Sequence, residues 1–253
     1  MARKPREKSR SGIYHIILRG INRQSIFEDD EDREKVIEVL AKYKEISQCR
    51  FFAYCLMDNH VHILLQEMQE PISMIIQRFS SSYVLWYNGK HERCGHLFQE
   101  RFKSEAVETD SYFLTVLRYI HQNPVKAKIV KDVTDYKWSS YREYIESRRI
   151  VDKEYALNMF SDKSSEAVVR FTEFIREANG DVCLEIPGIK VNVSDDHLRQ
   201  MVRQEFGIDA IKICKEKKEK QDDILKAMKK KIGTNMRQIA RITGLSVTRI
   251  WKA

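Results

Sequence analysis

Two histidines, His60 and His62, flank one valine at the start of an apolar run that is typical of a buried strand. Side chains two positions apart in a strand point to the same face of a sheet. The two imidazoles would therefore project side by side, an arrangement that can bind a divalent metal ion. The alternative is that one is a core histidine and the other an edge residue. Two ligands also leave most coordination positions of a metal ion unfilled. A third ligand and a reacting group must therefore come from elsewhere in the chain.

A predicted helix over residues 110–123 contains candidates for both missing groups. Tyr119 and Asn123 are four residues apart and so share one face of that helix. A tyrosine hydroxyl can act as a nucleophile, and an amide oxygen suits a hard metal ion. Each residue also has a structural interpretation. Tyr119 could be a core tyrosine anchored by its hydroxyl, and Asn123 could cap a second short helix that begins at Pro124.

The pattern of apolar residues predicts the elements that position these groups. Between the second and third predicted strands, Asp58-Asn59 has turn chemistry. Helices are expected after the first and third strands, which gives the order β-α-β-β-α-β. This order predicts an α+β fold, a ferredoxin-like antiparallel sheet covered by helices on one face. The predicted strands are 12–18, 50–57, 60–66 and 98–107.

The composition changes after about residue 150, where no convincing strand pattern remains. We therefore predict a first domain over residues 1–150 and an all-α accessory region over 151–253. Near the end, two short helices flank Gly244-Leu245-Ser246, which predicts a helix-turn-helix near 234–253. This region is a candidate for DNA binding or assembly.

The charge balance and the cysteines limit the classes of function. The chain has a net charge of +8, which favours a polyanionic partner, either nucleic acid or an anionic membrane surface, without choosing between them. Its five cysteines are scattered and form no CxxC pair, which argues for a reducing compartment. No apolar run approaches the roughly 18 residues of a membrane span, and no apolar segment follows the basic N-terminus. We therefore expect a cytoplasmic protein with no membrane partner.

Several segments together resemble the single-tyrosine HUH transposases, especially the branch associated with repetitive extragenic palindromes (REP). The resemblance covers residues 12 to about 145, and the segments occur in the order found in that family. It identifies residues 1–150 as an HUH nuclease domain. The segments are Tyr14-His15, Arg19-Gly20, Asn22-Arg23-Gln24, Ile26-Phe27, Met57 to Leu64 around His60-Val61-His62, Phe98-Gln99 through Phe102-Lys103, and Arg118 to Ala127.

The resemblance implies a role for each candidate residue. Tyr119 matches the catalytic tyrosine, His60 and His62 match the metal ligands, and Asn123 sits where a further polar ligand is expected. The implied cofactor is Mg²⁺ or Mn²⁺, completed by substrate oxygens. The implied reaction is cleavage and strand transfer of single-stranded DNA, hairpin-forming in that branch, through a 5′-phosphotyrosine intermediate.

Four basic residues are candidates for contacts with the DNA backbone, although each taken alone is more often a solvated surface charge. They are Arg19, Arg23, Arg101 and Lys103. The sequence leaves open whether the protein is a monomer or a dimer.

Two other functions are compatible with parts of the pattern. A DNA-binding regulator would use the C-terminal helix-turn-helix and carry a nuclease fold that no longer cuts. A small-molecule metalloenzyme would use His60 and His62, but the basic charge and the lack of a third strong ligand count against it. The intact histidine pair together with the tyrosine favours the nuclease and transposase function.

Overall fold

The computed structural model describes residues 7–146, 149–184, 195–230, 234 and 236–252. The chain divides into two compact units, Met1–Ile186 and Pro187–Ala253, each with its own hydrophobic core. Within the part of the chain that the structure describes, no helix is long and apolar enough to cross a membrane.

The first unit is built around a four-stranded antiparallel sheet. Its first six elements are β1 (Ile13–Arg19), α1 (Asp30–Ser47), β2 (Arg50–Met57), β3 (His60–Gln66), α2 (Ile72–Lys90) and β4 (Lys103–Ala106). The strands lie in the order β2-β3-β1-β4. The α+β class and the ferredoxin-like β-α-β-β-α-β order predicted from the sequence are therefore confirmed.

A two-residue turn, Asp58-Asn59, joins β2 to β3 where the sequence predicts it. The turn is held by the loop that follows β1. Gly20 N donates to the carbonyl of Asn59 at 2.9 Å, and Ile26 N donates to the carbonyl of Asp58 at 2.9 Å. These bonds fix the start of β3, and hence the position of His60, relative to β1.

Gly20 is needed because the backbone approaches itself closely at this point. A Cβ atom at position 20 would overlap the carbonyl oxygen of Gln24 and lie 2.8 Å from Cγ2 of Ile26. Only glycine fits this approach without moving the loop. The loop after β1 thus depends on a residue with no side chain.

Strand β4 is shorter than predicted. It begins at Lys103, so Arg101 lies in the preceding loop and does not share a strand face with Lys103. Two features explain the late start. Gln99 N donates to the carbonyl of Arg19 at 2.7 Å, and Glu100 has a positive φ of 56°, which turns the chain away from the extended conformation.

Both faces of the sheet are buried, so the prediction of a sheet covered on only one face is wrong. His15 on β1 and His62 on β3 point to one face and are fully buried, while Ile16 and Ile63 point to the other face and are fully buried as well. A strand that is buried on both sides loses the alternation of apolar and polar residues. The histidines are therefore polar residues within a covered sheet face.

Helix α3 (Asp110–Lys126) follows β4 and contacts β2 and β3. Thr109 caps its start, since the Thr109 hydroxyl accepts a hydrogen bond from Tyr112 N at 3.2 Å. The helix continues through Pro124, so the predicted break there is wrong, as is the alternative that Asn123 caps a second helix. Proline removes one backbone donor, and the buried packing of residues such as Ile120 keeps the helix intact.

Residues 151–184 are part of the first unit, so the predicted domain boundary at residue 150 is too early. Phe171 stacks on Tyr144 with ring centres 4.2 Å apart. Arg118 on α3 pairs with Asp181 at 2.7 Å. These contacts join the later segment to the core. The helices of this part are α4 (Tyr141–Ile145), α5 (Lys153–Leu157) and α6 (Ser164–Arg176).

Among its described residues, the second unit contains helices and the segments that connect them, and no strand, as predicted. Its α-helices are α7 (Asp195–Phe206), α8 (Lys218–Lys230), α9 (Met236–Thr243) and α10 (Val247–Lys252). A turn at Gly244, with φ of +70°, joins α9 to α10, and Ser246 Oγ accepts a hydrogen bond from Arg249 N at 3.2 Å. Residues 235 and 253 of the predicted helix-turn-helix lie outside the described residues.

Candidate active site

His60 and His62 project side by side from β3, as the strand alternation predicts. Their ring centres are 4.8 Å apart. His62 is fully buried and His60 is 4% exposed. In the register of the sheet, His60 lies opposite Arg19, and His62 lies opposite Ile17. This geometry presents two imidazoles to the same space above the sheet.

The turn before β3 orients the ring of His60. Its Nδ1 lies 2.7 Å from Asn59 Oδ1. Because an amide oxygen only accepts, Nδ1 carries the proton and Nε2 keeps its lone pair. Among the described residues, His60 Nε2 is buried and has no hydrogen-bond partner. A buried nitrogen without a partner is costly in a structural role and is what a metal ligand needs.

Asn123 reaches the second histidine from helix α3. Its Nδ2 is 3.3 Å from Nε2 of His62. The other ring nitrogen of His62, Nδ1, is 3.0 Å from Nε2 of His15. His62 is thus held at both nitrogens, with its Nε2 beside the amide that the sequence proposed as a third ligand.

Tyr119 lies over the same face of the sheet as the histidines. Its ring meets His62 edge-on, with centres 5.7 Å apart, and meets His15 in the same way at 5.9 Å. The side chain is 4% exposed. The ammonium of Lys126 is 5.2 Å from the ring centre. Tyr119 therefore belongs to the core, as its structural interpretation expected, and also borders the histidine pair.

Burial makes the histidines neutral. It lowers the pKa of His60 to about 3, and the nearby Arg19 guanidinium acts in the same direction. Burial also lowers the pKa of His15 to about 3 and that of His62 well below its ordinary value. Neutral imidazoles keep a lone pair, which is the protonation state that binds a metal ion.

Of the four predicted DNA-contacting residues, Arg19 lies nearest the histidines. It is 6% exposed, and within the described part of the chain its Nε and one Nη are buried without a hydrogen-bond partner. Burial lowers the pKa of Arg19, and the charge of Arg23 adds to the effect. Lys103 is exposed on the edge strand, on the histidine face of the sheet, whereas Arg101 is exposed in the loop before it.

A metal ion at this site would take its protein ligands from imidazole and amide groups. Among the described residues, no group of three or more His, Cys, Asp or Glu side chains is placed to hold a metal. The donors available are Nε2 of His60, Nε2 of His62 and the amide of Asn123. This set fits an ion whose remaining positions are filled by substrate oxygens and water.

Two residues close to the histidines were missed as site residues by the sequence reasoning. His15 contacts His62 directly, and Asn59 contacts His60. Because His15 and Arg19 are four residues apart on a strand and share one face, their spacing could have suggested a polar site there. The sequence pattern does not show that β1 pairs with β3, which is what brings His15 to His62.

The comparisons with known proteins agree with this fold. Residues 8–123 match the family model described as "Transposase IS200 like". No curated protein matches the chain significantly.

Solved structures of similar fold include a REP-associated tyrosine transposase bound to a REP hairpin. It is 19% identical, with a TM-score of 0.50, and the match covers 57% of this chain and 86% of that one. A candidate transposase from Deinococcus radiodurans R1 is 17% identical, with a TM-score of 0.34, over 48% of this chain and 97% of the other.

Proposed function

Because residues 8–123 belong to the IS200-like transposase family, we propose that the protein cleaves single-stranded DNA and transfers the strand through a 5′-phosphotyrosine. The observation that carries this proposal is the placement of Tyr119. Its ring lies 5.7 Å from that of His62, on the face of the sheet that presents both histidines. A tyrosine on the opposite face could not reach a phosphate held there.

In this mechanism, Tyr119 supplies the nucleophile. Its hydroxyl loses a proton and attacks the phosphorus in line with the bond to the 3′-oxygen. The new bond joins the tyrosine oxygen to the 5′-phosphate, the P–O3′ bond breaks, and the 3′-oxygen takes up a proton. One ester bond replaces another, so rejoining the strand needs no nucleotide cofactor.

Mg²⁺ or Mn²⁺ is the proposed cofactor, and His60, His62 and Asn123 would hold it. When bound, such an ion withdraws charge from a nonbridging oxygen and orients the phosphorus. The rigid placement of the two rings, fixed by Asn59 and His15, reduces the reorganisation that binding requires.

Arg19 is the residue proposed to contact the phosphate nearest the cut. Its buried nitrogens without partners form a ready donor set beside His60. A buried guanidinium binds a phosphate strongly because both nitrogens can donate to the same group. Arg23, Arg101 and Lys103 are exposed and would contact phosphates further along the strand.

The proposed substrate is a single strand that folds into a hairpin. The similar REP-associated transposase was solved with a REP hairpin, which supports this class of DNA. Tyr119, His60 and His62 all come from one chain, so a single copy contains the groups that the reaction requires. A monomer is therefore sufficient for cleavage in this proposal.

The second unit is proposed to bind DNA as an accessory module. Residues 187–253 contain 16 lysines and arginines against 8 aspartates and glutamates, an excess that equals the net charge of +8 of the whole chain. The exposed positions of α10 include Thr248 and Lys252, as a recognition helix requires. If this unit alone acted, the protein would be the DNA-binding regulator of the alternative hypothesis.

The test uses synthetic single strands that carry the DNA flanking the gene, labelled at either end. The full-length protein with Mn²⁺ should form an SDS-resistant adduct that carries the 3′-end label, because the downstream fragment stays on Tyr119. The 5′-end label should appear on a free fragment with a 3′-hydroxyl. Duplex binding without any adduct, in either metal, would instead support the regulator, and K252E should then weaken that binding.

A further inference from the structure

His15 is a fully buried histidine that the proposed mechanism does not use. Its Nε2 is 3.0 Å from Nδ1 of His62. On its other side, Nδ1 of His15 is 4.0 Å from Oε2 of Glu105 on β4. The three side chains form a row across β3, β1 and β4 that leads from the proposed metal ligand to the edge of the sheet.

Glu105 is itself fixed by two donors. Its Oε2 accepts hydrogen bonds from the hydroxyl of Tyr112 at 2.7 Å and from Leu184 N at 3.1 Å. The carboxylate is therefore a stationary negative charge facing His15. Within the described residues, Nδ1 of His15 is buried and has no hydrogen-bond partner, so this charge acts on it through space.

Only one arrangement of protons along this row leaves His62 able to bind a metal. A neutral imidazole has one N–H and one lone pair. If Nδ1 of His62 donates to Nε2 of His15, then Nε2 of His62 keeps its lone pair and His15 turns an N–H toward Glu105. In the reverse arrangement Nε2 of His62 is protonated, and His15 turns a lone pair toward the carboxylate, which repels it.

Asn123 selects the same arrangement from the opposite side of the ring. The atom that approaches Nε2 of His62, at 3.3 Å, is Nδ2 of the amide. An amide NH₂ group only donates, so it requires a lone pair on Nε2. The negative charge of Glu105 and the amide of Asn123 therefore both favour the tautomer of His62 that carries its proton on Nδ1.

We propose that His15 and Glu105 are positioning residues that keep the proton of His62 on Nδ1 and present its Nε2 to the metal. The inference rests on the proposed function in one respect, namely that His62 is a metal ligand. Partners of this kind set the tautomer and the ring orientation of metal-binding histidines.

The experiment reads the tautomer of His62 and the affinity for Mn²⁺ separately, in the full chain. The ring nitrogens are observed by NMR in the metal-free protein, and Mn²⁺ binding is measured by titration. The wild type should carry the His62 proton on Nδ1. H15F removes the acceptor, so the proton should move toward Nε2, and the Kd for Mn²⁺ should rise about 10- to 100-fold.

Matched variants separate this role from general damage. H15Q keeps an acceptor at this position and should restore the wild-type tautomer. E105Q removes the charge and should shift the proton of His62 toward Nε2. E108Q should not, because within the described residues the carboxylate of Glu108 accepts hydrogen bonds from Arg10 N and Ser11 N. If H15F does not fold, the comparison of E105Q with E108Q tests the proposal by itself.

Two results would overturn the inference. One is a wild-type His62 that holds its proton on Nε2. The other is an E105Q protein whose His62 tautomer equals that of the wild type. The tautomer is measured without DNA or metal. A protein with the expected tautomer that forms no adduct would therefore refute the proposed function and leave the positioning role intact.

Discussion

The ring of Tyr119 meets the ring of His62 edge-on at 5.7 Å, although one residue comes from helix α3 and the other from strand β3. Asn123 lies one turn beyond Tyr119 on the same face of α3. The proposed nucleophile and a proposed metal ligand are thus carried by one helix over the histidine pair.

Replacement of Tyr119 by phenylalanine should abolish the covalent adduct, because it removes the only atom of that side chain that can attack phosphorus. The assay is SDS gel electrophoresis with 3′-end-labelled DNA. Y141F is the matched control. Among the described residues, the hydroxyl of Tyr141 is buried without a partner, so its loss breaks no hydrogen bond. An adduct that persists in Y119F would refute the assignment of Tyr119.

Loss of either proposed histidine ligand should weaken Mn²⁺ binding and slow cleavage. We expect H60A and H62A to cleave about 100- to 1,000-fold more slowly, because charge on the phosphate is no longer neutralised. EDTA should stop the wild-type reaction, and added Mn²⁺ should restore it. H96A alters an exposed histidine in the loop before β4 and serves as the control. Wild-type Mn²⁺ affinity in both alanine variants would exclude the proposed metal site.

Replacement of Arg19 by methionine should separate activity from stability. Cleavage should slow about 100- to 1,000-fold, since a donor to the phosphate is lost. The free energy of unfolding should stay the same or increase, because a buried guanidinium with partnerless nitrogens is replaced by an apolar side chain. Urea denaturation measures the free energy of unfolding, and single-turnover assays measure the rate of cleavage. A large loss of stability in R19M would show that Arg19 has a structural role.

Arg101 should behave differently because it is exposed. R101M should leave the rate of cleavage at saturating DNA nearly unchanged. It should weaken DNA binding and reduce the slope of log K against log salt by about 0.7 for a single strand. Filter binding at several salt concentrations measures this slope. An unchanged slope would remove Arg101 from the DNA-binding surface.

Two glycine-to-alanine changes should have opposite effects on stability. G20A places a methyl group against the Gln24 carbonyl and Ile26, and we expect a loss of about 1–3 kcal/mol together with reduced cleavage. In α2, the space around Gly89 is open, so G89A should stabilise the protein by about 0.5–1 kcal/mol through helix propensity. The free energies come from urea denaturation. A G20A protein as stable as the wild type would show that the loop relaxes.

Local patterns predicted β2, β3 and the turn between them with the bounds that the structure has, because alternation and turn chemistry act over a few residues. The end of α3 was predicted wrongly at Pro124, since tertiary packing outweighs the loss of one backbone donor. The domain boundary was also wrong. The contacts that join residues after 150 to the core, such as Arg118 with Asp181, connect positions far apart in the chain.

The candidate site was predictable only in part, because some of its contacts also join positions that are far apart in the chain. His60, His62, Tyr119 and Asn123 were found by spacing and by resemblance to a family. The proposed roles of His15 and Glu105 depend on the strand register, which no local pattern encodes.

The tight turn at Asp58-Asn59 has a consequence for how copies of such a gene decay. It anchors His60, so an in-frame deletion of the codon for Val61 would place the second histidine at the next position of β3. Because neighbouring positions face opposite sides of the sheet, that single lost codon would move one imidazole out of the site while the chain could still pair as a strand. Under the proposed function, inactive gene copies would then be recognised by the spacing of their histidines, even where both histidines survive.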